Sequence, residues 1–348
     1  MASTSGDGSA APPEFDPRRL DAFLRARIPG LEGDGPPVLE RISGGQSNPT
    51  FFLTYPNRRL VLRKKPPGEL LPSAHAVDRE ARVLTALAGT GVPVPRVLVF
   101  HPEPDVVGTP FYVMERVEGR VFGTSDLPGA AREERRAMVM SFAETLARLH
   151  EVDWRAAGLE DFGRPGNYFG RQVARWTRQW EAARFRDIPE LTRLAEWVAA
   201  NIPPDDGAAA LVHGDYRLGN VMFHPEEPRI VAVLDWELST LGHPLADLAF
   251  AVLAWRSAPE EYGGVLGLDL DALGMPREEE FVAHYTASRR TPAPRLTPFH
   301  VAFAQFRFAV IFEGIAARAR SGTAAAADAA AVGELSRAYA RRGVETIA

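Results

Sequence analysis

The sequence predicts an α+β chain of two lobes: a small β-rich lobe to about residue 116, then a larger helical one. Three observations carry this. Short apolar runs broken by glycine, proline and asparagine fill the first part, and apolar residues at helical spacing fill most of the rest. Between the later helices, Leu211–Leu248 reads as a strand end, a polar loop, a hairpin and a second polar loop opening a helix.

Composition sets the bounds. A chain of 348 residues is long enough for two domains or one two-lobed unit. With 45% hydrophobic and 24% charged residues it is an ordinary globular chain. A net charge of −5 gives no electrostatic case for a nucleic-acid partner. Cysteine is absent, which excludes disulfides and thiolate metal sites and fits a reducing, cytoplasmic compartment. Residues 1–16 lack a basic start and an apolar core, so they read as a disordered tail and not a signal peptide. No uninterrupted apolar run approaches the ~18 residues of a membrane span, and no membrane partner is expected. Of the 40 basic residues only Lys64 and Lys65 are lysine, so a single arginine carries little information.

In chain order, residues 17–30 read as a helix and 38–43 as a strand. The turn Gly44–Thr50 and the strand Phe51–Tyr55 follow, forming a hairpin whose tip can lie over phosphates or be a plain turn. Along the strand Leu60–Arg63, the period of two puts Val61, Arg63 and Lys65 on one face. Within the helix His75–Ala88, Glu80 lies beside the apolar stripe, able to pair with a strand cation or to be solvated. Two more strands, 97–100 and 111–114, complete the β-rich part. Helices are then expected over 133–151, 170–184, 189–201, 244–255, 278–290, 298–320 and 334–347, with a frayed alanine-rich segment at 322–332. Trp176 and Trp180 are i,i+4 neighbours, read as helix packing or as a ligand surface. His150, closing its helix, reads as a cap or a core polar group.

The polar residues of the central stretch sit where apolar runs stop. Asp215 follows 208–212, Asn220 precedes 221–223, and Asp235 follows 230–234. If the last two runs pair, Asn220 and Asp235 meet at the open end of a hairpin, where opposed positions lie about 4.5–5.5 Å apart. Asp215 can loop back to the same place. Two carboxylates and an amide are hard oxygen ligands that suit Mg²⁺ carrying phosphate. Phosphoryl transfer needs that metal, a carboxylate beside the attacking hydroxyl, and cations for the developing charge. Asp215 suits the hydroxyl, while Arg217 either neutralises phosphate or points to solvent. His213 orients the loop, and Asp247 either caps its helix or bonds back to the loop. A hydrolytic metal site from His213, Asp215, His224 and Asp235 competes, but His224 falls at the far end of the hairpin.

The motif H-G-D-Y-R-L-G-N, then D-W-E beginning fifteen positions after Asn220, then G-H-P-L-A-D-L, resembles the aminoglycoside phosphotransferase and choline kinase group, of protein-kinase-like bilobal fold. The likeness extends over nearly the whole chain after about residue 17. It implies an ATP-dependent enzyme with Asp215 as catalytic base, Asn220 and Asp235 as Mg²⁺ ligands and Asp247 as a partner of the loop. It also implies that Gly44, Gly45, Ser47 and Asn48 cover the phosphates and that Glu80 is the helix acid. Met114, Glu115 and Val117 would border the adenine, with Val61 in the same pocket. The strand lysine of the kinase pattern falls on Arg63, with Lys65 two residues on as the other candidate. His243 replaces the aspartate common in the group, at a position expected to be exposed.

Within that group, V-L-R-K-K-P-P-G, G-V-P-V-P and L-D-W-E-L-S-T-L-G resemble the branch associated with acyl-CoA dehydrogenases. This implies a hydroxylated acyl acceptor, such as a CoA thioester. Six arginines and one acid between Arg164 and Arg186 also suit an anionic small-molecule acceptor better than a polycationic aminoglycoside, or else form a solvated face. Trp176, Trp180, Arg171 and Glu237 are the acceptor-side candidates. The alternatives are an aminoglycoside- or choline-type kinase, a protein kinase and a nucleotide-binding pseudokinase without turnover. The A-P-E element of protein kinases is absent, and only Arg63 favours the pseudokinase.

Overall fold

Asp16 starts the first helix. Its carboxylate accepts a hydrogen bond from the Arg18 N–H at 2.9 Å and Pro17 supplies a preset first turn, so α1 spans Pro17–Arg25. The structure is a computed structural model and describes residues 14–42, 48–68, 76–292, 294–322 and 328–348. These divide into two compact units, one of residues up to Ala88 with Pro95–Val117, the other of Gly89–Val94 with Glu118–Ala348.

The first unit is an antiparallel sheet of β1 (Val38–Arg41), β2 (Thr50–Thr54), β3 (Arg59–Lys64), β4 (Val97–His101) and β5 (Phe111–Glu115), in the order β1-β2-β3-β5-β4. The period of two decides what each face holds. Phe51, Leu53, Leu60, Leu62, Phe111 and Val113 form a buried core with Leu20 and Leu24 of α1. Val61 and Arg63 turn the other way, paired in register with Met114 and Tyr112 of β5. α2 (Val77–Leu87) packs on β4 and β5.

Two expectations are corrected here. Phe15 packs edge-on against Phe51 at 5.5 Å and Asp16 caps α1, so the fold begins before residue 17; residues 1–13 of the expected tail lie outside the described residues. α1 also ends at Arg25, not 30, because Arg27 and Ile28 bond back to Leu24 in a turn ahead of Pro29.

The second unit opens with α3 (Arg132–His150), α4 (Tyr168–Ala183) and α5 (Pro189–Ala200). Two small antiparallel pairs follow, β6 (Ala210–Val212) with β9 (Thr240–Gly242) and β7 (Val221–Phe223) with β8 (Ile230–Val233). Sequence reading missed β9, which has only three residues. Gly89–Val94 joins this unit through the bond from the Val233 N–H to the Pro93 carbonyl, 2.8 Å. The rest is helical: α6 (Pro244–Ala251), α7 (Leu270–Leu273), α8 (Glu278–Ser288), α9 (Pro298–Arg320), α10 (Ala329–Gly333) and α11 (Leu335–Ile347). α6 stops four residues before the expected Trp255, where the chain tightens to a 3₁₀ turn. Residues 323–327 of the alanine-rich segment, and His75, lie outside the described residues.

α9 is apolar on nearly every side and packs against α4, α5, α6, α10 and α11. By length and composition it is the one helix among the described residues that could cross a membrane, yet 83% of its most apolar stretch is buried inside the unit.

Candidate functional site

β6 delivers the chain to His213-Gly214-Asp215. Gly214 has φ +84°, and a Cβ there would sit 2.6 Å from the Leu238 carbonyl oxygen, so the turn accepts only glycine. Asp247, in the first turn of α6, receives the bend. Its carboxylate accepts the N–H groups of His213 at 2.6 Å and Gly214 at 2.9 Å. This is the bond back to the loop that the sequence allowed. Burial opposes the charge on Asp247, yet the bond from His150 and the charges and amides of the loop hold its carboxyl below the usual range.

His213 locks the turn from its other side. Nε2 lies 2.8 Å from the Leu234 carbonyl, which can only accept, so Nε2 carries the proton and Nδ1 accepts from the Asp215 N–H at 3.1 Å. The ring therefore joins the Asp215 backbone to the residue preceding Asp235.

The hairpin closes as expected, with Val221 opposite Val233 and Phe223 opposite Ile230. The Leu234 N–H donates to the Asn220 carbonyl at 2.8 Å, fixing Asn220 at the open end. The Asn220 amide Nδ2 then donates to Asp215 Oδ2 at 2.7 Å and to the Asp215 carbonyl at 2.9 Å. That leaves the amide oxygen as the atom it could offer a metal. Asp235 adopts φ +62°, a left-handed conformation that is costly outside glycine and collects at functional sites. One of its carboxylate oxygens lies within 4.8 Å of one from Glu237.

Asp215 is only part-buried by its neighbours on the open side, but burial still pushes its carboxyl above the ordinary aspartate value, against the charges of Arg217, His213 and Arg307 and the bond from Asn220. A carboxylate so raised is a better proton acceptor near neutral pH. Arg217 Nε stands 3.7 Å from Asp215 Oδ2.

Arg307 of α9 went unrecognised in the sequence. It donates to the Gly214 carbonyl at 2.6 Å, with its guanidinium 5.3 Å from the Trp176 ring and 5.4 Å from the Phe250 ring. Trp176 is thus held between Arg307 and Arg175, while Trp180 is buried in the helix packing. The Arg171 guanidinium donates to the carbonyls of Gly166 and Arg164. The structure does not bring Trp180 or Arg171 into contact with the Asp215 loop.

Three further placements concern this unit. His243 is buried, not exposed: its Nδ1 accepts from the Leu245 N–H at 3.2 Å, capping α6, and its Nε2 faces Asp206 at 3.2 Å. The expectation failed because imidazole can cap a helix as aspartate does. His150 is a core polar group, with Nδ1 2.7 Å from the Tyr285 hydroxyl and Nε2 3.4 Å from Asp247. His224 lies at the hairpin turn, receiving N–H bonds from Glu226 and Glu227.

In the first unit, Glu80 is buried and gathers donors. Arg63 Nε lies 2.9 Å from its Oε2, the Tyr112 hydroxyl donates to Oε2 at 2.9 Å, and Asn48 Nδ2 donates to Oε1 at 2.9 Å. Lys65 continues past β3, with its backbone held by Pro110 and Thr109. Val61 is buried and Met114 half-buried. Glu115 pairs with Arg58 and Arg96 at 3.4 and 3.3 Å, and Val117 ends the unit. Gly44, Gly45 and Ser47 lie outside the described residues.

Comparison with known proteins gives a consistent set of relatives. The model of the phosphotransferase enzyme family matches residues 38–281. Acyl-CoA dehydrogenase family member 11 of Gallus gallus is 43% identical over 338 residues, covering 95% of this chain and 43% of that protein. Acyl-CoA dehydrogenase family member 10 of Mus musculus is 41% identical over 324 residues, covering 92% and 30% respectively. The chain therefore spans less than half the length of these relatives. A crystal structure from Ralstonia eutropha, assigned as an aminoglycoside phosphotransferase, is 42% identical with a TM-score of 0.87, covering 95% of this chain and 98% of that one. A macrolide 2'-phosphotransferase type I, 21% identical, shares the fold with a TM-score of 0.60 over 89% of this chain and 93% of that one.

Proposed function

Because the chain belongs to the phosphotransferase enzyme family, as a small-molecule kinase of kinase-like fold, we propose that it transfers the γ-phosphate of ATP to a hydroxyl of an acyl-type acceptor. The observation that carries this reading is the pair of hydrogen bonds from the Asn220 amide to Asp215, which aims one carboxylate oxygen while leaving the amide oxygen for a cation. Asp215 takes the acceptor's proton as its oxygen bonds to the γ-phosphorus. The β–γ bridging P–O bond breaks, and its electron pair leaves on ADP.

Asn220 and Asp235, with Glu237 nearby, are hard oxygen donors that fit Mg²⁺. When bound, Mg²⁺ neutralises phosphate charge. Arg63, paired with a Glu80 that Tyr112 and Asn48 also hold, supports a phosphate-binding role in the first unit, in a fork geometry where lysine would offer a point charge. An acyl acceptor is favoured by the names of the relatives, acyl-CoA dehydrogenase family members, and by the arginines of α4.

The test is ATP consumption, with phosphomonoester formation followed by ³¹P NMR, over a panel of hydroxyacyl-CoA thioesters, free hydroxy acids, choline and aminoglycosides. Asp215→Ala is the control. Transfer to a hydroxyacyl acceptor that Asp215→Ala abolishes is expected. Tight Mg-ATP binding with no acceptor phosphorylated would instead mark a nucleotide-binding protein without turnover. Phosphate release needing neither acceptor nor ATP would contradict the kinase reading.

A further inference from the structure

We infer that the acceptor binds in an aromatic cleft on the Arg217 side of Asp215, as a hydroxylated carboxylic acid or acyl group whose apolar arm enters the cleft. This rests on the phosphotransferase reading above. The cleft is lined by Arg217 and by Phe250, Trp255, Tyr262, Phe308 and Tyr339, all in the second unit. Its floor is apolar and buried; Phe250, Trp255, Phe308 and Tyr339 are each under one-tenth exposed.

Arg217 is the polar element at the mouth. Gly219 makes room for it, since a Cβ there would fall 2.5 Å from the Arg217 guanidinium. The guanidinium carbon lies 5.3 Å from the Tyr262 ring, a stacking distance. Arg217 Nε is buried without a hydrogen-bond partner among the described residues, and the Asp215 carboxylate at 3.7 Å is too far to be one. A buried N–H of this kind is costly unless something accepts from it. A carboxylate or thioester carbonyl would.

The wall residue Tyr262 is strained, with φ +74° outside glycine, followed by Gly263 at φ +75°. Its ring is braced edge-on by Phe308 at 5.6 Å and Phe312 at 5.4 Å, while the residue stays 45% exposed at the rim. Strain of this kind persists where packing holds a ligand-facing side chain in place.

Size and spacing define the acceptor. The space inside is ≈ 50 Å³. A water-sized group needs about 10–15 Å³ on this measure, so the cleft admits about four carbons in line. With Arg217 Nε 3.7 Å from Asp215 Oδ2, the hydroxyl must lie within a few bonds of the carboxyl group. Straight-chain 3-hydroxy acids meet both conditions.

The experiment uses 3-hydroxybutyrate through 3-hydroxyheptanoate as acceptors, and butyrate and heptanoate as binding probes without a hydroxyl. Transfer from γ-labelled ATP is measured alongside binding by calorimetry. Ala254→Phe fills the cleft from its wall. Tyr262→Ala, at an exposed rim, removes a wall without filling the core and serves if the first variant folds poorly. Both are expected to raise the acceptor KM at least tenfold for the longer chains and to weaken heptanoate binding likewise, with KM for ATP unchanged. Arg217→Met should raise KM for the acids and leave that for 2-pentanol unchanged. Transfer by wild type that neither cleft variant alters would overturn the cleft and leave the kinase reading standing. Heptanoate binding lost in both variants, with no acceptor phosphorylated by wild type, would support the cleft and remove the kinase reading. Neither binding nor transfer would overturn both.

Discussion

One amide ties down Asp215 at two points: Asn220 Nδ2 reaches the carboxylate at 2.7 Å and the backbone carbonyl at 2.9 Å. The loop between them is therefore closed by the residue whose amide oxygen is the proposed ligand for a cation. Asn220→Ala removes both functions. Turnover should fall by about 100-fold or more, and the Mg²⁺ needed for half-maximal rate should rise. A variant with normal Mg²⁺ dependence and near-normal kcat would dissociate Asn220 from both roles.

Arg307 holds the same loop from α9, through the Gly214 carbonyl at 2.6 Å. A hydrogen bond from a charged group contributes roughly 1.5–3 kcal/mol. Arg307→Met keeps the packing against Trp176 and Phe250 but loses that bond. Denaturant unfolding should show a loss of that size, and kcat should drop with KM for ATP unchanged. An unchanged kcat would make Arg307 a packing residue only.

A polar chain runs inward to Asp247. Arg289 donates to the Tyr285 hydroxyl at 2.9 Å, so the hydroxyl proton goes to His150 Nδ1 at 2.7 Å, and His150 Nε2 carries its proton toward Asp247 at 3.4 Å. Tyr285 thereby sets the His150 tautomer. Tyr285→Phe should cost about 1–3 kcal/mol by leaving a buried acceptor unmet. It should also shift the His150 ¹⁵N signals away from a pure Nε2–H form. A wild-type spectrum showing the Nδ1–H tautomer would break the chain.

Much of this was legible because the chemistry sits at the ends of apolar runs. The hairpin, Asp215, Asn220 and the Asp247 bond follow from where Val212, Val221 and Leu234 stop. Arg307 was not legible: it lies 93 residues from Gly214 in a helix whose apolar pattern says core, in a chain where arginine is everywhere. His243 was misjudged because exposure was inferred from loop position, whereas the cap and Asp206 bury it. The left-handed Asp235 leaves no mark in the sequence, since aspartate is not glycine.

His300 gives the pH dependence a sign. Burial, helped by the nearby His243 ring, lowers its pKa from 6.5 to about 4. Between those values the unfolded chain binds a proton that the folded chain refuses, so stability rises with pH across about 4 to 6.5. Asp206 and Asp205 bear on His243, and Arg295 lines the same pocket. Urea midpoints for His300→Gln should therefore flatten in that window relative to wild type. Parallel curves would show that His300 titrates freely in the fold.

The central claim is that Asp215 accepts the proton during phosphoryl transfer. The direct measurement is single-turnover transfer of labelled γ-phosphate from ATP to a hydroxyacyl acceptor, for wild type and Asp215→Asn, with ATP binding measured alongside. The asparagine preserves shape and removes the base. Transfer should fall by about 10²–10⁴-fold with ATP affinity unchanged. Transfer at the wild-type rate by Asp215→Asn would contradict the account.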